Sequence, residues 1–179
     1  AKMLLKDRVA FVTGAGSGIG RAGALALAAE GAVVVVTDRV GARAEAVRDE
    51  IGAAGGRATC MALDVQDAAA LQAAIRATAE AHGRLDILHS HAGVQIPGPL
   101  EQVTLEQMDA SWRMNVRSHF VAAEAAMPLM RARGAGSIII PAHNEASVIA
   151  RTLAGLAPLA GTGIEVVVVA NGCTDDTAA

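Results

Sequence analysis

The chain has 179 residues and a mass of 18.1 kDa, enough for one hydrophobic core and one domain of ordinary size. Its 15 basic and 18 acidic side chains leave a net charge of −3, which argues against a nucleic-acid glove or a polybasic membrane binder. With 53% hydrophobic and 18% charged residues, global disorder is excluded. Cys60 and Cys173 are far apart and neither lies in a CxxC pair, so neither a disulfide framework nor a zinc site is expected. No charged-then-apolar leader precedes Met3, and Pro158, Gly161, Gly163 and Glu165 interrupt the apolar stretch from Leu153 to Ala170. A cytoplasmic protein without a membrane span is the expectation.

Short β-branched runs alternate with Ala/Leu-rich segments. Val9 to Val12 reads as a strand, and Arg21 to Glu30 as a helix stopped by Gly31. Ala32 to Thr37 is a second strand, whose unbroken valines predict burial on both faces. A helix from Arg43 to Ala53 ends at Gly55 and Gly56, and Ala58 to Leu63 is the third strand. Asp67 caps a helix to about Ala81, and Leu85 to His89 is the fourth strand. Thr104 and Gln107 make a capping box that opens one long helix to about Arg133, kinked at Pro128. Ser137 to Ile140 is the fifth strand, Glu145 to about Leu156 a helix, and Ile164 to Val169 the sixth strand. This alternation predicts a doubly wound α/β sandwich of three layers, Rossmann-type, with about six parallel strands in the order 3-2-1-4-5-6.

The segment from Thr13 to Gly20, TGAGSGIG, lies between the first strand and the first helix. Gly14, Ser17, Gly18, Ile19 and Gly20 let the backbone turn tightly and bring helix N–H groups to a pyrophosphate. Asp38 ends the second strand, 18 residues after Gly20. A carboxylate there accepts from ribose hydroxyls and repels a 2′-phosphate, so NAD is expected over NADP, with Arg39 beside it weighing the other way.

Residues 4 to about 140 resemble a short-chain dehydrogenase/reductase. The Gly loop, Asp64-Val65 after the third strand, Ser90-His91-Ala92-Gly93 after the fourth, Met114-Asn115-Val116 and Ser137-Ile138-Ile139 stand in that family's order. The resemblance implies an adenine contact at Asp64 and Val65, cofactor contacts at His91, Ala92 and Gly93, and a catalytic-tetrad role for Asn115. It also implies a homodimer that pairs through the helix from Thr104 to Arg133. Ser90 and His91 replace the family's two asparagines, removing an amide that braces the strands. His89 and His91 are expected on opposite faces of their strand, which argues against their sharing a metal ion. His82 and His119 read as ordinary helix-surface or packing residues, and Trp112 as a packing residue on the long helix.

The family's proton transfer uses a Ser and a Tyr-x-x-x-Lys pair. His143 stands at the expected Ser, the chain has no Tyr, and no Lys follows Lys6. The chain is therefore expected to bind NAD without efficient catalysis; His143 and His91 are the only stand-ins that titrate near neutrality. Residues 138 to 179 resemble a different family, the opening of a family 2 glycosyltransferase, in IIIPAHNE from Ile138 and in IEVVVVANGCTDDT from Ile164. That implies a chimera, with residues 1–137 of dehydrogenase type and 138–179 completing one single domain as a β-α-β unit. A sugar-nucleotide site at Asn144, Glu145 and Asp175 is the remaining alternative, without the family's Asp-x-Asp metal site.

Overall fold

A computed structural model describes residues 3–142 and 163–170. Strand β1 (Val9–Thr13) is buried throughout, and its alternation splits the core in two. Val9 and Phe11 face one side of the sheet, and Ala10 and Val12 the other, because successive side chains leave a strand on opposite faces. Strand β2 (Val33–Asp38) does the same: Val35 joins Phe11, while Val34 and Val36 join Ala10 and Val12. The four valines are thus covered on both faces, as the unbroken run predicts.

Helices α1 (Gly18–Ala29) and α2 (Gly41–Ala53) cover the second of these faces. Helix α3 (Ala68–His82) and the later helix α5 (Ser118–Arg133) cover the first. Strands β3 (Arg57–Ala62), β4 (Ile87–Ser90), β5 (Gly136–Ala142) and β6 (Ile164–Ala170) complete a six-stranded sheet. Its order is β3-β2-β1-β4-β5-β6, with all five pairings parallel. The expected architecture and strand order are those observed. The sixth strand pairs with the fifth from Gly136↔Ile164 to Ala142↔Ala170.

Local signals act as their chemistry requires. Asp67 caps α3 by accepting from the Ala70 N–H at 3.0 Å. Thr104 and Gln107 form the reciprocal box at the start of α4 (Leu105–Trp112). At the base of the sheet the buried Asp86 carboxylate accepts from the Val9 N–H at 2.9 Å and pairs with Arg8 and Arg84. Burial alone would raise its pKa, but Arg84, the Val9 amide and Arg8 outweigh that and hold it below the usual carboxylate range.

The long helix departs from expectation. It runs through Pro128, and its irregularity comes earlier, as one π-helical segment at Arg113–Arg117 between α4 and α5. Such a wider turn leaves i→i−4 pairing for a few residues. Trp112, expected to pack, is 59% exposed. The expected helix from Glu145, together with His143 and Cys173, lies outside the described residues.

Phe11 is fully buried between β1, α3 and α5. Phe11→Ala is expected to lower unfolding free energy by about 3–5 kcal/mol in urea denaturation, because the rigid sheet cannot close over the cavity.

Candidate functional site

The chain turns out of β1 through Gly14, whose φ of +63° suits a residue without Cβ. Space also requires glycine there, since a Cβ would stand 2.9 Å from the Ala92 backbone. At Gly20 a Cβ would lie 2.2 Å from the Gly14 carbonyl oxygen. Helix α1 therefore begins directly above the ends of β1 and β4. Its N-cap Ser17 makes no side-chain cap, which leaves the first-turn N–H groups and the positive dipole end unspent.

A cavity of about 490 Å³ opens at this helix end. Gly14, Ser17, Gly18 and Ile19 form its floor, and Asp38 and Arg39 one wall. Asp64 and Val65 come from the loop after β3, and His91, Ala92 and Gly93 from the loop after β4. Of the residues singled out for cofactor binding, only Gly20 is not in the lining; it is buried beneath the loop. Leu63, Gln66, Val94 and Ala110 also line the cavity and carry no motif that would have marked them; Met114, from the Met114-Asn115-Val116 segment, lines it too without having been expected at the cofactor.

The Asp38 carboxylate accepts from the Gly16 N–H at 3.1 Å and the Val40 N–H at 2.9 Å, which aims it across the crevice mouth. Asp64 accepts from the Gln66 N–H at 2.9 Å, fixing the turn after β3. The Thr13 hydroxyl accepts from the N–H groups of His91 and Ala92 at 2.9 and 3.1 Å, and so pins the opposite wall. This cradle suits a dinucleotide: a helix end for the pyrophosphate, a carboxylate for a ribose, and a glycine-rich floor where backbone comes close to the cavity.

Asn115 lies in the π-helical segment and does not reach this cavity. It lines a second hollow of about 600 Å³ with Val94, Ile96, Val103 and Met108. Its amide is fully engaged. Oδ1 accepts from the Val94 N–H at 2.8 Å, and Nδ2 donates to the Val94 carbonyl at 2.7 Å and to Ser111 Oγ at 3.0 Å. Asn115 thereby ties the helix to the loop that follows β4.

The histidines require a correction. Residues two apart on a strand share a face, so His89 and His91 both turn toward α1, with ring centroids 5.5 Å apart. They occupy a slot where α1 has no side chains: His89 lies against Gly23, and His91 against Gly20. Both Nδ1 atoms are buried without a partner. Ser90 faces the other way and meets His119 Nδ1 at 2.7 Å, so His119 braces β4 to α5 where the sequence suggested ordinary packing. Burial lowers the pKa of all three rings, His89 to about 4 with help from His91 nearby. Among the described residues no group of three or more His, Cys, Asp or Glu is placed to hold a metal ion. No helix among them is long and apolar enough to cross a membrane.

Residues 8–179 match the family model described as short chain dehydrogenase. A D-threitol dehydrogenase of Mycolicibacterium smegmatis is 39% identical over 144 residues, covering 80% of this chain and 55% of that protein. A 2,5-dichloro-2,5-cyclohexadiene-1,4-diol dehydrogenase of Sphingobium indicum is 40% identical over 157 residues, or 88% of this chain and 59% of that one. This chain thus spans little more than half the length of these relatives. A solved metagenomic short-chain oxidoreductase in complex with NADP superposes with a TM-score of 0.87 at 33% identity, covering 95% of this chain and 84% of that one. The family match runs on through residue 179, past the boundary near residue 140 that the sequence suggested, and the comparisons support no glycosyltransferase segment. A β-branched strand after a crossover helix looks alike in many parallel α/β proteins, which is why the tail misled.

Because His89 stays neutral in the fold but takes a proton once unfolded, the unfolded state binds more protons below pH 6.5. That stability is fully present above pH 6.5 and is lost as the pH falls toward about 4. Urea midpoints measured from pH 7.5 to 4.5 are expected to fall, and the His89→Leu variant is expected to show a shallower slope.

Proposed function

The chain belongs to the short-chain dehydrogenase family, and from that premise we propose that its crevice binds a nicotinamide dinucleotide, NAD in preference to NADP. The observation that carries the preference is the Asp38 carboxylate, held at the crevice wall by the Gly16 and Val40 amides. A negative group there receives ribose hydroxyls and repels a 2′-phosphate. The NADP in the superposing oxidoreductase belongs to that protein; Asp38 is the feature of this chain that opposes it, and neighbouring Arg39 the one that would tolerate it.

Each wall has a stated task in this reading. Gly14, Ser17, Gly18, Ile19 and Gly20 bring backbone N–H groups to the pyrophosphate. Asp64 and Val65 flank the adenine, and His91, Ala92 and Gly93 close the opposite side. We take residues 1–179 as one domain. The bound dinucleotide would supply hydride transfer, and exchange with an alcohol or ketone also requires a proton to move at the substrate oxygen. The 179 residues contain no Tyr and no Lys after Lys6. Asn115 is occupied with Val94 and Ser111. We therefore propose that these residues bind the cofactor and turn it over slowly, with neither His143 nor His91 a full replacement for the absent pair.

We further propose a homodimer through the helix from Thr104 to Arg133. Leu105, Met108, Trp112, Val116 and Phe120 form an exposed apolar stripe at helical spacing along α4, the π-helical segment and α5. Light scattering behind size-exclusion chromatography is expected to show a dimer that Trp112→Glu converts to a monomer; a monomeric parent protein would remove the proposal.

Calorimetric titration with NADH tests the cofactor reading. Saturable 1:1 binding is expected, weakened about tenfold or more in Asp38→Ala and with NADPH gaining relative to NADH. A folded protein that takes up no NADH, or an Asp38→Ala variant with unchanged affinity and selectivity, would overturn it.

A further inference from the structure

Outside its ordinary use as a loop residue, His91 brings a titratable ring to the wall of the dinucleotide crevice. Its N–H is pinned by the Thr13 hydroxyl at 2.9 Å, so the backbone at this point is fixed. Its ring lies against Gly20, at the start of α1, and shares the cavity lining with Gly14, Ser17 and Gly18. The position is half-buried, so a charge there is poorly screened by water. Resting on the dinucleotide reading above, we infer that His91 is a proton-dependent contact for the anionic pyrophosphate, so that the chain takes up a proton when it binds the cofactor.

The physical reason is linkage. Burial disfavours the charged imidazole of His91 and pushes its pKa down. Two phosphates arriving at the adjacent helix end supply a counter-charge. The charged form of the ring gains, so a proton enters with the ligand, and by reciprocity lower pH tightens binding. The other ionisable groups around the ring work against this or are neutral to it. His89, on the same face with its centroid 5.5 Å away, opposes a second charge and remains neutral because its own pKa lies near 4. His119 lies across β4, bonded to Ser90, and is held neutral by burial. Helix α1 presents Gly20 and Gly23 to the two rings, and its Arg21 is paired with Glu50. Across the cavity stand Asp38, Arg39 and Asp64. The two carboxylates are tied to backbone amides.

The test is calorimetry of NADH binding at pH 6.5 in two buffers of different ionisation enthalpy, with affinities followed from pH 7.5 to 5.5. The parent protein is expected to bind with buffer-dependent heat corresponding to net proton uptake. Its affinity is expected to rise about three- to tenfold over that pH range, because the charged ring is favoured in the complex and a proton enters with the ligand. His91→Asn, which keeps a polar side chain but cannot titrate, is expected to bind NADH with a flat pH profile and buffer-independent heat. Ring Cε1–H resonances of the parent protein, titrated with and without NADH, give a second readout that needs no variant; one ring is expected to titrate at higher pH when NADH is present. NADH binding without proton uptake, or pH dependence that survives in a folded His91→Asn protein, would overturn the inference while leaving the cofactor site intact. Absence of NADH binding would instead overturn the cofactor reading, and this inference with it.

Discussion

The structure depends on how closely helix α1 approaches the ends of β1 and β4. Three positions control that approach: Gly14, Gly20 and Gly23. A side chain at Gly14 would meet Ala92, one at Gly20 would meet the Gly14 carbonyl, and one at Gly23 would meet the His89 ring. With none present, the helix start sits over the middle of a parallel sheet, and its unpaired N–H groups face a crevice lined mainly by backbone. The apolar faces of β1 and β2 then hold the helices against the sheet, so the anion-binding end is preorganised by burial far from it.

Strand β4 shows how one element serves two faces. His89 and His91 fill the glycine slot of α1, while Ser90 meets His119 on α5. The Ser–His bond ties β4 to helix α5 at the point where the sequence lacks the family's strand-bracing amide. A few residues on, Asn115 grips both backbone groups of Val94. The π-helical segment is the local adjustment that accompanies this grip, since a wider turn carries the Asn115 amide to the loop without ending the helix. The crevice wall after β4 is thus held from one side by Thr13 and from the other by Asn115.

Strand order and the crevice were legible because they follow from patterns with strict physical causes. Unbroken valines in β2 require cover on both faces, glycines before α1 require a tight turn, and strict alternation of strand and helix requires a parallel sheet. The π-helical turn was not legible in the local spacing, and the contact that Asn115 makes from it reaches Val94, 21 residues away in sequence. The role of His119 was hidden for the same reason: its partner Ser90 lies 29 residues away. Placement of His89 and His91 needed only the period of a strand, and the expectation of opposite faces failed on that elementary count. Trp112 was expected to pack along the long helix, whereas the exposed face of α4 carries it outward with Leu105 and Met108.

The distribution of chemistry across the two hollows follows from what each is made of. The first is built from a helix end, backbone amides, carboxylates tied down by those amides, and the His91 ring; such groups bind anions and hydroxyls. The second, beside Asn115, is lined by Val94, Ile96, Val103 and Met108. Ser111, Gln95 and Asn115 also line it, and the Asn115 amide is committed to the Val94 backbone and Ser111. Binding a dinucleotide requires only the first set of features. Among the described residues, His89 and His91 lie under α1 and His119 against α5, away from this second hollow. The features that suit a dinucleotide are thus made by glycines and backbone where α1 meets the ends of β1 and β4, and the apolar hollow beside Asn115 is a separate construction on the loop after β4.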